Sequence, residues 1–270
     1  MQRLELGPRA ALTYTYTPPT LDSAVTFVFF NALTGDMALW ESLLVPRLRE
    51  QGHGFLAWNY RGQAGSPFAP GTRLDDRLII ADSLQLMDKV KPIRPVLVGL
   101  SIGGLFAARA WLEGAPASGL VLINTLRRPG PRLEWINDAL LRAVKVGGME
   151  LLRDLYLPLL YDERWLAEHR RDFLKDRPYH PLPPDHGHYR LLADCRSADW
   201  NLPLEALSLP VLVVTGLMDR LFLDTHDLER LFERLPDGRR VEMSDAAHML
   251  PAERPEALAR ALLAFVGNDR

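Results

Sequence analysis

Cysteine is almost absent from this 270-residue chain: Cys195 stands alone, so no internal disulfide can form. A lone packed thiol is the plain reading of it, and it fits a reducing compartment. Long hydrophobic runs are missing too. The longest uncharged stretch, residues 95–108, falls short of the roughly 20 residues that a membrane span needs. Charge of one sign is not in excess, since 32 basic against 34 acidic residues leave a net −2 and give no electrostatic reason to expect nucleic acid or an anionic membrane surface. The opening "MQRLELGPRA" lacks the apolar core of a secretory signal, so a cytoplasmic location is expected. Repeats and low-complexity tracts are absent as well. What is present, 47% apolar and 24% charged residues, suffices for one large globular core.

The apolar residues are arranged in an alternating order. After two short strands near residues 3–6 and 11–17, "AVTFVFF" (24–30) is a continuous apolar run of the kind buried on both sheet faces. Trp40, Leu43, Leu44 and Leu48 then recur at helical spacing until Gly52. Strand 54–59, helix 76–90, strand "VLVGL", a helix after Ser101 and strand 119–124 continue the series. This β-α-β-α order predicts an α/β fold, a mostly parallel sheet flanked by helices. It breaks off at Thr125. From there to about Leu207 the spacing is helical, interrupted by "RPYHPLPPDHGH". Strand 210–216 resumes the sheet, followed by a helix near 225–234, a strand at 240–243 and a last helix marked by Leu258, Leu262 and Phe265. The predicted organisation is a split core, 1–124 and 208–270, with an inserted helical cap at 125–207.

The chemistry begins at Gly99-Leu100-Ser101-Ile102-Gly103, where a strand turns into a helix. This is the nucleophile-elbow pattern, which strains the serine and lifts its hydroxyl above the sheet edge, near the positive end of the new helix. A base is supplied by His248, which follows the last core strand in "SDAAHMLPAERPEAL". The order Ser…Asp…His then selects Asp219 in "VVTGLMDRLF", a few residues past the carboxyl end of a parallel strand. Asp224, Asp227 and Asp245 read as solvated helix-start or turn residues. The preceding strand ends in Asn124-Thr125, which offers no acid. An oxyanion hole requires two backbone N–H donors, one from Ile102 and one from the loop "NALTGD" after residue 30.

With "GLSIGG", "TGLMDRL" and "AAHMLPAERPEAL" together, the chain resembles the α/β-hydrolase superfamily over nearly its whole length. In that family a His-Gly pair follows the third strand. Asn31-Ala32 stands there instead, so the resemblance implies Leu33 as the second oxyanion donor. Asn31 either supports this loop or donates from its own amide. "NYRGQAGSP" resembles the family's Asp-x-Arg-Gly-x-Gly-x-Ser loop, with Asn59 and Ala64 as departures and Arg61 as a structural bridge.

The implied activity is a serine hydrolase of a small ester, thioester or lactone, with no cofactor and no metal. A carbon–carbon bond hydrolase of the same fold, or a hydrolase-fold receptor with little turnover, is the alternative. "DHGH" (185–188) superficially resembles a metal-ligand cluster but lacks further ligands. Arg127 and Arg128 follow a strand end facing the cleft, where one could hold a substrate carboxylate or both could bridge to the cap. Substrate contacts are expected from Asn31, Trp135 and Tyr156. Part of the cap stripe carrying Trp135, Leu155, Tyr156, Leu159 and Tyr161 is expected to roof an apolar acyl pocket.

Overall fold

The chain opens with an antiparallel pair, β1 (Gln2–Gly7) and β2 (Ala10–Thr17), at one edge of the sheet. The continuous apolar runs form its centre. In the computed structural model, which describes residues 1–267, every residue of β3 (Thr26–Phe30), β4 (Gly54–Asn59), β5 (Pro95–Leu100), β6 (Gly119–Ile123) and β7 (Val211–Gly216) is buried. Strand β8 (Gly238–Met243), half exposed, closes the other edge. The eight strands lie in the order β1-β2-β4-β3-β5-β6-β7-β8, and all pairs from β4 to β8 are parallel.

Side chains alternate across this sheet, as the two-residue strand period requires. Phe27 and Phe29 pack on one face with Trp40, the Phe29 and Trp40 rings stacking at 4.7 Å. Val28 and Phe30 pack on the other with Trp58 and Phe106. Helices Asp76–Val90, Ile102–Leu112 and Thr225–Phe232 cover the second face. The first is covered by Pro255–Gly267 and by two short helices, Ala38–Leu43 and Val45–Glu50. Those two replace the single helix expected through Leu48. Pro46 has no N–H to continue the ladder, and the chain restarts there. Arg61 bridges to the buried Asp82, with Nε and Nη2 at 2.8 and 2.7 Å from its two oxygens.

Strand β3 has β4 on one side and β5 on the other, so the winding reverses there. In open α/β sheets the crevice above the carboxyl ends at such a point is where ligands sit. Between β6 and β7 the chain leaves the sheet for a helical segment: Pro131–Leu160, Glu163–His169 and Gly187–Asp194. The first of these helices is kinked at Gly147–Gly148. Gly148 has φ +68°, and a Cβ there would lie 2.2 Å from the His180 carbonyl oxygen, so only glycine permits the bend. The bend lets Leu141, Val144 and Leu152 from both arms meet Leu192 in a small core of their own.

Candidate active site

Ser101 leaves β5 with φ 58° and ψ −124°, a conformation costly for a residue with a Cβ. Its neighbours hold it there. A Cβ at Gly103 would meet the Phe30 carbonyl oxygen at 2.3 Å, and one at Gly104 would meet Thr125 Oγ1 at 2.0 Å. The glycines therefore let the helix start directly against β3 and β6. The Ser101 N–H donates to Ile123 O (2.8 Å), and its carbonyl accepts from Thr125 Oγ1 (2.9 Å).

His248 and Asp219 are both buried, with His248 Nδ1 and Asp219 Oδ2 2.6 Å apart. An ionised carboxylate only accepts, so Nδ1 carries the proton and Nε2 is left able to accept one. Asp219 Oδ1 accepts from the N–H groups of Leu221 and Phe222, each at 3.0 Å. Burial alone would raise the Asp219 carboxyl. His248, the Phe222 N–H and Arg127 together outweigh it and hold the carboxyl below its usual range. Of the other aspartates, Asp224 caps helix Thr225–Phe232 and Asp245 pairs with Arg254, both away from His248.

The structure brings Ser101, Ile102, Leu33 and His248 together around one cavity of about 110 Å³. Gln63 Nε2 donates to the carbonyls of Ala32 (3.0 Å) and Leu33 (3.3 Å), and Tyr60 Oη donates to that of Asn31. In a trans peptide the N–H points opposite the C=O, so the Leu33 N–H faces away from Gln63. Asn31 itself supports this loop. Its Nδ2 donates to Trp58 O, Asn59 Oδ1 and Gln63 Oε1, and its Oδ1 accepts from Trp40 Nε1, which leaves its amide fully engaged.

The inserted helices contribute Leu140, Leu152, Leu160 and Leu192 to the cavity wall. Tyr156 and Tyr161 line an adjoining space of about 200 Å³, which shares Leu152, Leu160 and Met249 with the first. Trp135 departs from expectation: it is 79% exposed and lies beside Arg220 and Leu221 in an outer depression. Leu155 also points outward. The positions that share a helix face with Trp135 are Asp138, Ala139 and Arg142, so its stripe is largely polar and stays in solvent. Cys195 is buried, its thiol 3.2 Å from Leu74 O, and burial pushes its pKa well up. His186 caps the helix Gly187–Asp194, and among the described residues no cluster of His, Cys, Asp and Glu is arranged to hold a metal ion.

Several contacts at the site had no sequence signal. Arg127 Nη2 donates to Ser101 Oγ at 2.9 Å; among the described residues Arg127, not His248, is the hydroxyl's partner. Asn124, noted in the sequence only for its lack of an acid, brackets the loops. Its Nδ2 donates to the carbonyls of Ala247 and His248, and its Oδ1 accepts from Gly216 N–H. The carboxyl end of the long inserted helix does the same work from above. Leu159 O accepts from Arg220 N–H, and Leu160 O from His248 N–H.

Glu253 completes the clasp by accepting the N–H groups of Ala247, Met249 and Asp162 at 2.8, 2.8 and 2.9 Å. Burial pushes its carboxyl up to about 7 against the pull of those donors, and the nearby Asp162 adds to the rise. An unfolded glutamate titrates near 4.3. Between that value and 7 the folded protein holds the extra proton, so stability falls as pH rises through this window. Urea denaturation of the wild type at pH 5 and pH 8 is expected to show that loss, and Glu253→Gln is expected to remove this component. An unchanged pH dependence in a folded Glu253→Gln protein would contradict it.

This fold and this cavity define a class, and comparison with known proteins gives the same one. Residues 25–255 match the family described as the alpha/beta hydrolase fold, and the chain belongs to that family. A protein of Variovorax paradoxus (strain S110) provisionally named carbamate hydrolase RutD is 28% identical over 245 residues, covering 88% of this chain and 90% of that one. Among solved structures, the alpha/beta hydrolase enzyme MGS-M2 from a Medee basin deep-sea metagenome library superposes with a TM-score of 0.81 at 17% identity, covering 97% of this chain and 96% of its own. The enol-lactonase from Burkholderia xenovorans LB400 superposes with a TM-score of 0.77 at 22% identity, covering 96% and 97%. Among the described residues no helix is long and apolar enough to cross a membrane.

Proposed function

We propose that this protein is a serine hydrolase that cleaves a small ester, thioester or lactone through an acyl-enzyme. One observation carries the reading: a strained Ser101 shares a cavity with His248, whose Nδ1 lies 2.6 Å from a buried Asp219 carboxylate. For reaction the Ser101 hydroxyl turns from Arg127 to His248 Nε2. His248 takes its proton as Oγ bonds to the acyl carbon. The N–H groups of Ile102 and Leu33 hold the resulting oxyanion. Collapse breaks the bond to the leaving group, which departs with the proton from His248. Water then gives a proton to His248 and attacks the acyl-enzyme, and His248 returns that proton to Ser101 Oγ as the acid leaves. The names of the relatives, a carbamate hydrolase and an enol-lactonase, suit acyl cleavage of this kind.

Labelling by a fluorophosphonate probe, followed by turnover of p-nitrophenyl acetate, tests the reading. Labelling at Ser101 with many turnovers is the expected result. Labelling with at most one turnover would point to a receptor, and no labelling of folded protein would overturn the nucleophile.

Residues 125–207 act in this reading as a cap whose leucines and Tyr156 select substrates by size. Tyr156→Ala is expected to change the ratio of kcat/KM between large and small esters by roughly tenfold, the scale on which apolar pockets discriminate. Trp135→Ala, on the outer surface, should leave that ratio within about twofold. A kcat/KM series over esters of increasing size checks both, and a silent Tyr156→Ala beside an altered Trp135→Ala would reverse the assignment.

A further inference from the structure

Arg127 is the feature the hydrolytic mechanism does not use. Its side chain is buried, and its guanidinium lies against the rings of Phe222 (4.1 Å) and Trp200 (4.5 Å). Two backbone carbonyls fix it: Nε donates to Thr125 O at 3.3 Å and Nη2 to Asn124 O at 2.8 Å. Nη2 also reaches Ser101 Oγ, while Nη1 has no hydrogen-bond partner among the described residues. Among the described residues no carboxylate forms an ion pair with it, though the Asp219 carboxylate is near enough to favour its charge. The adjacent Arg128, by contrast, reaches Asp227 at 3.2 Å on the surface.

Taking a guanidinium out of water is costly, and here the cost falls inside the reaction cavity. The Phe222 and Trp200 rings and the nearby charge of Asp219 offset part of it. The cavity's formally charged lining residues are Arg127 and Arg196, and neither Asp nor Glu lines it among the described residues. Burial lowers the Arg127 pKa to about 10, with Asp219 pulling the other way, so the side chain keeps its charge at neutral pH. A fixed cation on the wall of an apolar cavity, with Nη1 free of hydrogen-bond partners among the described residues, can accept an anion. Planar guanidinium and carboxylate match as a two-pronged pair, and that match is strongest where water is excluded.

We propose that Arg127 binds a carboxylate carried by the substrate's own acyl group, so that the substrates are half-esters, half-thioesters or lactones of short dicarboxylic acids. The proposal rests on the hydrolase reading for Ser101 and narrows its substrate class. The contact between Nη2 and Oγ sets the chain length. An anion bound at this guanidinium and a carbonyl carbon within about 3–3.5 Å of Oγ can be joined only by a short chain, as in malonyl, succinyl or glutaryl groups. Occupation by the carboxylate also draws the guanidinium's hydrogen bonds away from Ser101 and frees the hydroxyl for His248. A neutral acyl group must have that contact broken without this help, so it is expected to turn over more slowly.

The test measures binding apart from catalysis. Malonate, succinate and glutarate, the acids such substrates would release, are titrated calorimetrically into the wild type, Arg127→Lys and Arg127→Gln, beside the matching diamides. At least one diacid is expected to bind the wild type tenfold or more tightly than its diamide. It should also lose tenfold or more in Arg127→Gln and less in Arg127→Lys. Equal binding of diacid and diamide by the wild type overturns the proposal even if Arg127→Gln does not fold. So does diacid binding that survives Arg127→Gln unchanged. Fluorophosphonate labelling of the wild type is scored separately. Diacid binding without labelling leaves the Arg127 site standing and removes the hydrolase reading, and labelling without diacid binding does the reverse.

Discussion

Ser101→Ala is expected to abolish covalent labelling and to lower kcat by on the order of 10³-fold or more, while the protein still folds. The size follows from the cooperation of nucleophile and base: without the hydroxyl, His248 has nothing to activate and only oxyanion stabilisation and binding remain. Folding should survive because the backbone at Ser101, not its hydroxyl, is what the structure holds in place. Its N–H bonds to Ile123 O and its carbonyl to Thr125 Oγ1, and alanine keeps both. Alanine also has the same Cβ at φ 58°, so the strain is unchanged. The cost should be confined to the acceptor lost by Arg127, about 1.5–3 kcal/mol for a hydrogen bond to a charged group. Stopped-flow or steady-state hydrolysis of an activated ester, with urea denaturation in parallel, reads both quantities. Near-normal turnover in a folded Ser101→Ala protein would remove Ser101 from the chemistry.

The sequence was most informative where one residue's environment is set by its neighbours in the chain. Residues 27–30 and 95–100 are unbroken runs without a polar side chain, and burial on both faces follows directly from that. The tight strand-to-helix turn at Ser101 is equally legible, because the glycines that flank it are needed at that spacing to let helix and strands approach. Strand order was not legible. The placing of β4 outside β3 is decided by packing between distant segments and leaves no local mark. Nor could spacing show which way the inserted helices turn. The kink at Gly148 reorients everything after it, so Leu155 faces out while Tyr156 lines the space adjoining the Ser101 cavity. The exposure of Trp135 is legible in the polar residues three and seven positions further along its helix. Arg127 was a candidate from its place after β6, but its burial beside Ser101 depends on Trp200 and Phe222, which lie 73 and 95 residues further along the chain.

Asp219→Asn is expected to lower kcat on the order of 10⁴-fold with little loss of structure. The two oxygens of Asp219 do different work. Oδ1 accepts two backbone N–H groups, and this fixes the carboxylate plane within the loop after β7. Oδ2 is left to face His248 Nδ1. In the asparagine variant, the amide oxygen takes the place of Oδ1, where two donors already point and an NH₂ would clash with them. The NH₂ must then face Nδ1. A donor opposite Nδ1 forces the imidazole proton onto Nε2, the atom that has to accept from Ser101. The ring stays in position but in the tautomer that cannot act as a base, and the imidazolium formed during reaction loses its counter-charge. Because geometry is kept and only protonation is wrong, the loss should appear in kcat and should shrink at high pH, where hydroxide can replace the missing base. Asp224→Asn and Asp245→Asn serve as controls: the first touches a helix cap and the second a surface pair with Arg254, so each should leave kcat within a few-fold of wild type. If Asp224→Asn were the crippling variant and Asp219→Asn nearly silent, the orienting acid would have to be sought outside the loop that follows β7.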